Sequence, residues 1–240
     1  MLLSGLLTGT ASRSVLQRRS WFTGWKTDTE KSGFTSEEEK AIVEIHNELR
    51  LRVNASDMRQ QSWDPSLATD AQSWADGCDY ASDNRTSYGE NLAAQPLHFH
   101  ETKAVENWYS EGQHYVYSNN SCTQVCEHYT QVVLAESSRL GCGIKYCSNF
   151  TTLTLSDAYF IVCYYDQAYN NSRVPYREGA VCSSCPSDAP ICDNSFCRQR
   201  NMNDTTTTEI TTETTTTSTT HQYQEQKTTV TTMSSKWGID

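Results

Sequence analysis

The residues with the most chemistry in them are ten cysteines: Cys78, Cys122, Cys126, Cys142, Cys147, Cys163, Cys182, Cys185, Cys192 and Cys197. Two kinds of chemistry compete for them. Cys182-x-x-Cys185 followed by Cys192-x4-Cys197 has a spacing that a four-thiolate zinc site can use. An even count confined to one stretch reads instead as a disulfide framework made in an oxidising compartment. N-glycosylation sequons stand at Asn54, Asn84, Asn119, Asn149, Asn170 and Asn203. Together with the cysteines they favour secretion over a cytosolic metal site. A sulfur held in a disulfide is no nucleophile, so a cysteine hydrolase is not expected. Neither a serine nucleophile elbow nor an HExxH helix occurs in the chain.

The totals narrow the partners. A formal net charge of -10 over 240 residues argues against nucleic acid and anionic membrane surfaces, because nothing offsets phosphate repulsion. Hydrophobic residues make up 36% of the chain. Globular chains average roughly 45–50% on a count that includes Gly, so a packed middle with poorly packed ends is expected. No apolar run approaches the roughly 20 residues of a membrane-spanning helix. The opening MLLSGLLTGTAS is apolar but lacks a basic start, and the basic stretch Arg13 to Arg19 follows it. Residues 1–33 are therefore expected to be a leader or a processed segment. The final Lys236–Asp240 does not read as a lipid-anchor tail.

Helices come first among the elements. Ser36 with Glu39 fits a capping box, and Ile42, Ile45, His46, Leu49 and Val53 then fall on one helical face. Asp64 suits an N-cap and Pro65 the first helical position, with Leu67, Ala71, Trp74, Ala75 and Cys78 following at helical spacing. A third helix is expected over Glu101–Glu111, with Val105, Trp108 and Tyr109 inward, and a short fourth over Val125–Ala135. Then the period changes. Leu140, Cys142, Ile144 and Tyr146 alternate as in a strand, and Tyr159–Tyr165 is apolar on both parities, as in a strand buried on both faces. Ser148–Ser156 is expected to form the turn between them. Residues 172–200 are too few and too polar for a core of their own, so their four cysteines must staple them. From 201 onward the chain is mostly Thr with Ser, Glu and Gln, which cannot bury enough surface to offset ordering entropy, and disorder is expected.

Several motifs then resemble one family, in its order. They are His46-Asn47-Glu48-Leu49-Arg50; Trp63-Asp64 with Leu67, Ala68, Ala71, Trp74 and Ala75; Gly89-Glu90-Asn91-Leu92; Trp108-Tyr109-x-Glu111; His128-Tyr129-Thr130-Gln131-Val132-Val133, running on to Arg139-Leu140-Gly141-Cys142-Gly143; and Phe160-Ile161-Val162-Cys163 with Tyr165. Over 34–171 the chain resembles the CAP superfamily, the cysteine-rich secretory, antigen 5 and pathogenesis-related group. The histidine motif followed by GCG is the most specific of them.

That resemblance implies an α+β fold, a three-layer α-β-α sandwich, followed by a small disulfide-stapled hinge over 172–200. It implies a cleft with two histidines and two glutamates. By position Glu90 and Glu111 are the glutamates and His128 is one histidine. The other, four residues after Cys78, is Ser82 here. One imidazole and two carboxylates can still bind zinc or another divalent cation, more weakly than a set with both histidines. His98, His100 and His114 read foremost as plain loop histidines, with His98 and His100 near enough in sequence to substitute. Other departures are Leu134 in place of the usual Trp, Tyr164-Tyr165 after Cys163, and Tyr169-Asn170. The implied disulfides are Cys78–Cys147, Cys142–Cys163, Cys122–Cys126, Cys182–Cys192 and Cys185–Cys197. Some relatives carry a further six-cysteine channel-blocking module; the Thr-rich stretch beyond 201 does not resemble it, which disfavours an ion-channel blocker. Expected functions are extracellular binding of a sterol, a fatty acid or a protein partner, as in venom allergen-like relatives. The alternative is a metal-dependent hydrolase using Glu90 or Glu111 as general base with His128 as ligand or acid.

Overall fold

Helix formation begins where a Thr–Glu pair closes on itself. In the computed structural model, which describes residues 30–96 and 100–201, helix α1 spans Ser36–Leu51 with Thr35 as its N-cap. The Thr35 hydroxyl accepts from the Glu38 N–H at 3.3 Å, and the Glu38 carboxylate accepts from the Thr35 N–H at 2.9 Å. The capping box therefore sits one residue before the expected Ser36–Glu39 pair, and Lys31 at 2.6 Å from Glu38 anchors it there. Val53 lies beyond the helix end. Helix α2, Pro65–Ala75, starts as expected: Asp64 caps it by accepting from the Ser66 and Leu67 N–H groups at 2.8 and 3.3 Å.

Two expected helices are shorter than their apolar patterns. Helix α3 covers Lys103–Ser110, and Glu111–His114 tightens into a 3-10 turn. Helix α4 covers only Glu127–Val132. Cys126, tied to Cys122, holds a non-helical backbone and blocks an earlier start.

The strands are β1 (Ser62–Trp63), β2 (Gly89–Pro96), β3 (Tyr115–Val116), β4 (Ser121–Cys122), β5 (Arg139–Asn149), β6 (Ser156–Tyr165), β7 (Ile191–Asp193) and β8 (Phe196–Arg198). The main sheet has the order β1-β5-β6-β2, with β3–β4 and β7–β8 as separate pairs. The long hairpin β5–β6 sets Cys142 opposite Cys163, and these two are bonded. From Ala158 to Tyr165 no residue of β6 is more than 1% exposed, as expected of a strand covered on both faces. Phe160, Val162 and Tyr164 pack with Leu67, Ala71 and Ala75 of α2, whereas Tyr159, Ile161, Cys163 and Tyr165 pack with residues of α1, α3 and α4. The result is three layers. Gly141 and Gly143 allow the α2 layer to come close: a Cβ there would stand 2.1 Å from the Ala68 N and 2.4 Å from the Gln72 Cα.

The segment after 171 leans on the rest. Ser56 N–H donates to the Arg177 carbonyl at 2.7 Å, Ser184 N–H to the Ser56 carbonyl at 3.0 Å, and Cys197 N–H to the Met58 carbonyl at 2.8 Å. Tyr176 and Phe196 enter the main core. Disulfides Cys182–Cys192 and Cys185–Cys197 cross-link this segment, and Cys78–Cys147 ties the end of α2 to β5. Leu134, at 2% exposure, fills core volume in place of a larger side chain. Residues 30–33, expected to belong to the leader, instead join the domain: the Gly33 N–H donates to the Ile144 carbonyl at 2.9 Å and the Tyr146 N–H to the Lys31 carbonyl at 2.8 Å. Residues 1–29 of that leader, the Thr-rich tail from 202, Asn203 and His98 lie outside the described residues.

Candidate functional site

Strand β2 forms one edge of the sheet, and its alternation sends consecutive side chains to opposite layers. Leu92 packs on the α2 side and Ala93 on the other. By the same parity Glu90 belongs to the α2 side and Asn91 to the α1 side. The cleft wraps around this edge.

On the α2 side, the Glu90 carboxylate accepts from the Asp83 N–H at 3.0 Å, and the Ser82 hydroxyl lies on the same cavity wall. Burial pushes the Glu90 carboxyl up; the Asp83 hydrogen bond and the neighbouring Ser82 hydroxyl pull against it. The supporting loop is well fixed. Asp83 is 7% exposed and accepts from Arg85 Nε at 2.7 Å, Arg85 Nη2 at 2.8 Å and the Tyr164 hydroxyl at 3.0 Å. The Arg85 guanidinium, more than any other neighbour, holds the Asp83 carboxyl down at about 2.

On the other side, Glu111 follows directly on α3 and His128 lies in the first turn of α4. His128 Nδ1 and Glu111 Oε1 are 2.7 Å apart, and the His128 N–H donates to Glu111 Oε2 at 3.2 Å. Both carboxylate oxygens thus hold one residue, which leaves Nε2 as the ring atom free of that clamp. Trp108 stacks on the imidazole at 6.2 Å, inclined by 22°, and its own Nε1–H is fixed to the Leu92 carbonyl at 3.1 Å.

Ser82, Glu90 and His128, with Tyr80, Asn91 and Glu127, line a cavity of about 380 Å³. A second cavity of about 290 Å³ shares Glu90 and Glu127 and continues past Tyr88 to Tyr169 and Asn170. Glu111 lines neither; it stands behind His128 and orients it. His100 is bonded to Thr102 at 3.0 Å, and neither it nor His114 lines either cavity. Sequence reasoning missed Asp83, Tyr80 and Glu127. Only Glu127 had a signal, its place next to His128; Asp83 is found by the fold alone.

A divalent cation needs three or four donors converging on one point. Among the described residues, the only three His, Cys, Asp or Glu groups with ligand atoms within 4.8 Å of one another are Cys182, Cys185 and Cys197. Their sulfurs are spent in disulfides, which also removes the four-thiolate reading. Glu90, Glu111 and His128 do not converge in this way. Glu111 serves as the partner that orients an imidazole, a role that leaves His128 as one donor. The residues present do not fit a zinc site.

Residues 43–165 match the profile of the CAP family, described as the cysteine-rich secretory protein family. The chain is 40% identical to mouse (Mus musculus) glioma pathogenesis-related protein 1 over 170 residues, 66% of this chain and 63% of that relative, so it spans less than two thirds of that relative's length. Among solved structures, Schistosoma mansoni venom allergen-like protein 4 aligns with a TM-score of 0.52 at 27% identity, covering 60% of this chain and 97% of that one. NaASP2, crystallised with Zn2+, aligns with a TM-score of 0.53 at 26% identity, covering 63% of this chain and 90% of the other. With the six motifs, the layered sheet and a profile match over more than half its length, the chain belongs to the CAP family of cysteine-rich secretory proteins.

Proposed function

We propose that this chain is a secreted, non-catalytic binding protein whose partner is an extracellular protein. Secretion is supported by five disulfides among ten cysteines, by the sequons and by the family's description. The observation that carries the non-catalytic reading is that Glu90, Glu111 and His128 do not bring their ligand atoms within 4.8 Å of one another. Ser82, on the cleft wall, stands where the family resemblance calls for a second imidazole, and a hydroxyl there is a poor metal ligand. The Zn2+ of NaASP2 belongs to that protein; the donors here do not gather for one.

Of the ligands the family suggests, a protein suits the surface better than a sterol or fatty acid. Lipid pockets need continuous apolar walls that cover most of the ligand. The cleft is walled by Ser82, Glu90, Glu127 and His128, and an open groove of about 1020 Å³ sets Lys40, Arg59, Arg139 and Arg198 among Val43, Trp63 and Ala189. The polar cleft walls do not cover a lipid, and the groove's mixture of cations and apolar side chains suits the surface of a protein partner.

Native mass spectrometry of the secreted, glycan-trimmed chain, before any chelator or detergent, tests this reading. The expected mass is polypeptide plus residual sugar. A stoichiometric sterol or fatty acid would replace the protein-partner reading with a lipid-carrier one. A stoichiometric zinc ion would restore the hydrolase.

A further inference from the structure

We propose that Asn84 and Asn170 carry N-linked glycans that rim the cleft and close it to macromolecules, so that a protein partner engages the molecule elsewhere. This rests on the secreted reading above.

The placement of the two sequons carries the inference. Asn84 is exposed and sits two residues beyond Ser82, beside Asp83, whose N–H holds Glu90 at 3.0 Å. Because Asp83 is clamped by Arg85 and Tyr164, the attachment point is fixed relative to the Glu90 carboxylate. Asn170 is also exposed and forms part of the wall of the cavity that Glu90 and Glu127 share. Its neighbour Tyr169 is pinned on two sides: its N–H donates to Gln131 Oε1 at 2.9 Å and its hydroxyl to Asn120 Oδ1 at 2.8 Å. Within the sequon the Asn170 Oδ1 accepts from the Ser172 N–H at 3.1 Å and from the Ser172 hydroxyl, so the asparagine and the hydroxyl residue of the motif are already turned toward each other. The sequon at Asn54 is different. Its Ser56 is 1% exposed and its hydroxyl is bonded to the Arg177 carbonyl at 3.1 Å, away from the cleft.

A glycan is bulky and hydrated, and one rooted on a fixed rim sweeps the volume above it. With one rooted two residues beyond Ser82 and the other on the wall of the second cavity, a small solute still reaches the 380 Å³ space but a folded domain does not. The modification draws on a lipid diphosphate-linked oligosaccharide. The asparagine Nδ2 forms a bond to C1 of the first sugar, the bond from C1 to the diphosphate oxygen breaks, the lipid diphosphate leaves, and the amide nitrogen loses a proton.

The full chain, secreted from eukaryotic cells, is mapped by glycopeptide mass spectrometry. It is then footprinted with hydroxyl radicals before and after the glycans are trimmed enzymatically on the folded protein. Trimming avoids any misfolding of the sequon variants Thr86→Ala and Ser172→Ala, which serve as a second measurement. The inference expects occupancy at Asn84 and Asn170. It also expects labelling of Tyr88 and Tyr169 to rise roughly two-fold or more on trimming, as for loss of a bulky surface cover, with Trp63 on the far edge strand unchanged. Vacant Asn84 and Asn170 with Asn119 or Asn149 occupied would overturn it, as would full occupancy with no change in labelling. Glycan at no site, with the chain retained in the cell, would instead bring down the secreted reading itself.

Discussion

Two polar clusters lie on the α1 side of β2, built from similar residue types and put to opposite uses. The rear one is interior: His46, Arg50, Asn91 and Tyr165 are each no more than 1% exposed. His46 is bonded at both ring nitrogens, to the Ile42 carbonyl at 2.7 Å and the Tyr165 hydroxyl at 2.9 Å. Arg50 gives its donors to five carbonyls, those of Arg59, Val132, Leu134, Ala135 and Ser137. At the cleft, the side chains of His128 and Glu111 are 29% and 21% exposed, and the His128 ring is bonded to Glu111 through Nδ1 alone. Asn91 joins the two, donating to the His128 carbonyl at 3.1 Å and the Tyr165 hydroxyl at 3.3 Å. A motif histidine with every polar atom satisfied inside the protein holds the fold. One with hydrogen-bonding capacity left toward solvent can recognise a ligand.

The contrast breaks most visibly at Arg50. Arg50→Met strips the guanidinium from five carbonyls, of which those of Leu134 and Ala135 keep the Ser137 and Arg59 N–H groups as donors, and a loss of about 3–5 kcal/mol is expected in chemical denaturation, the range for disrupting a buried charged network. A loss under about 1 kcal/mol would mean that water replaces the guanidinium and that the rear cluster is not structural.

His46 sharpens the comparison through pH. Burial pulls its imidazole from 6.5 down to about 4, against the Ile42 hydrogen bond, with Arg50 adding to the fall. The unfolded chain therefore takes up a proton at higher pH than the folded one. The stability from neutral His46 is complete above pH 6.5 and is lost as pH falls toward 4. That window corresponds to about 3 kcal/mol. Urea midpoints compared at pH 7 and pH 4.5 should show it in the native chain and lose most of it in His46→Gln. Equal pH dependence in both would remove His46 from the account.

How far this was legible in advance follows the physics of each element. Strand β6 announced itself because burial on both faces demands an unbroken apolar run. Strand β2 did not: GENLAAQP contains no β-branched or aromatic residue, and it is a strand because β6 offers it a ladder. The ends of α3 and α4 were set by a 3-10 turn and a disulfide, neither of which leaves a mark in the apolar spacing. In the cleft, the family motifs named Glu90, Glu111 and His128 but not their division of labour. That Glu111 acts through His128, and that the Asp83 N–H holds Glu90, are facts of geometry. Asp83 and Arg85 had no motif to point to them.

The most direct measurement is calorimetric titration of the full chain with Zn2+, repeated on Ser82→His and His128→Ala. No saturable site is expected in the native chain at micromolar zinc. Ser82→His, which restores the second imidazole, should tighten binding by at least about tenfold, or 1.4 kcal/mol. A single tight site in the native chain that disappears in His128→Ala would contradict the account and return the cleft to metal chemistry.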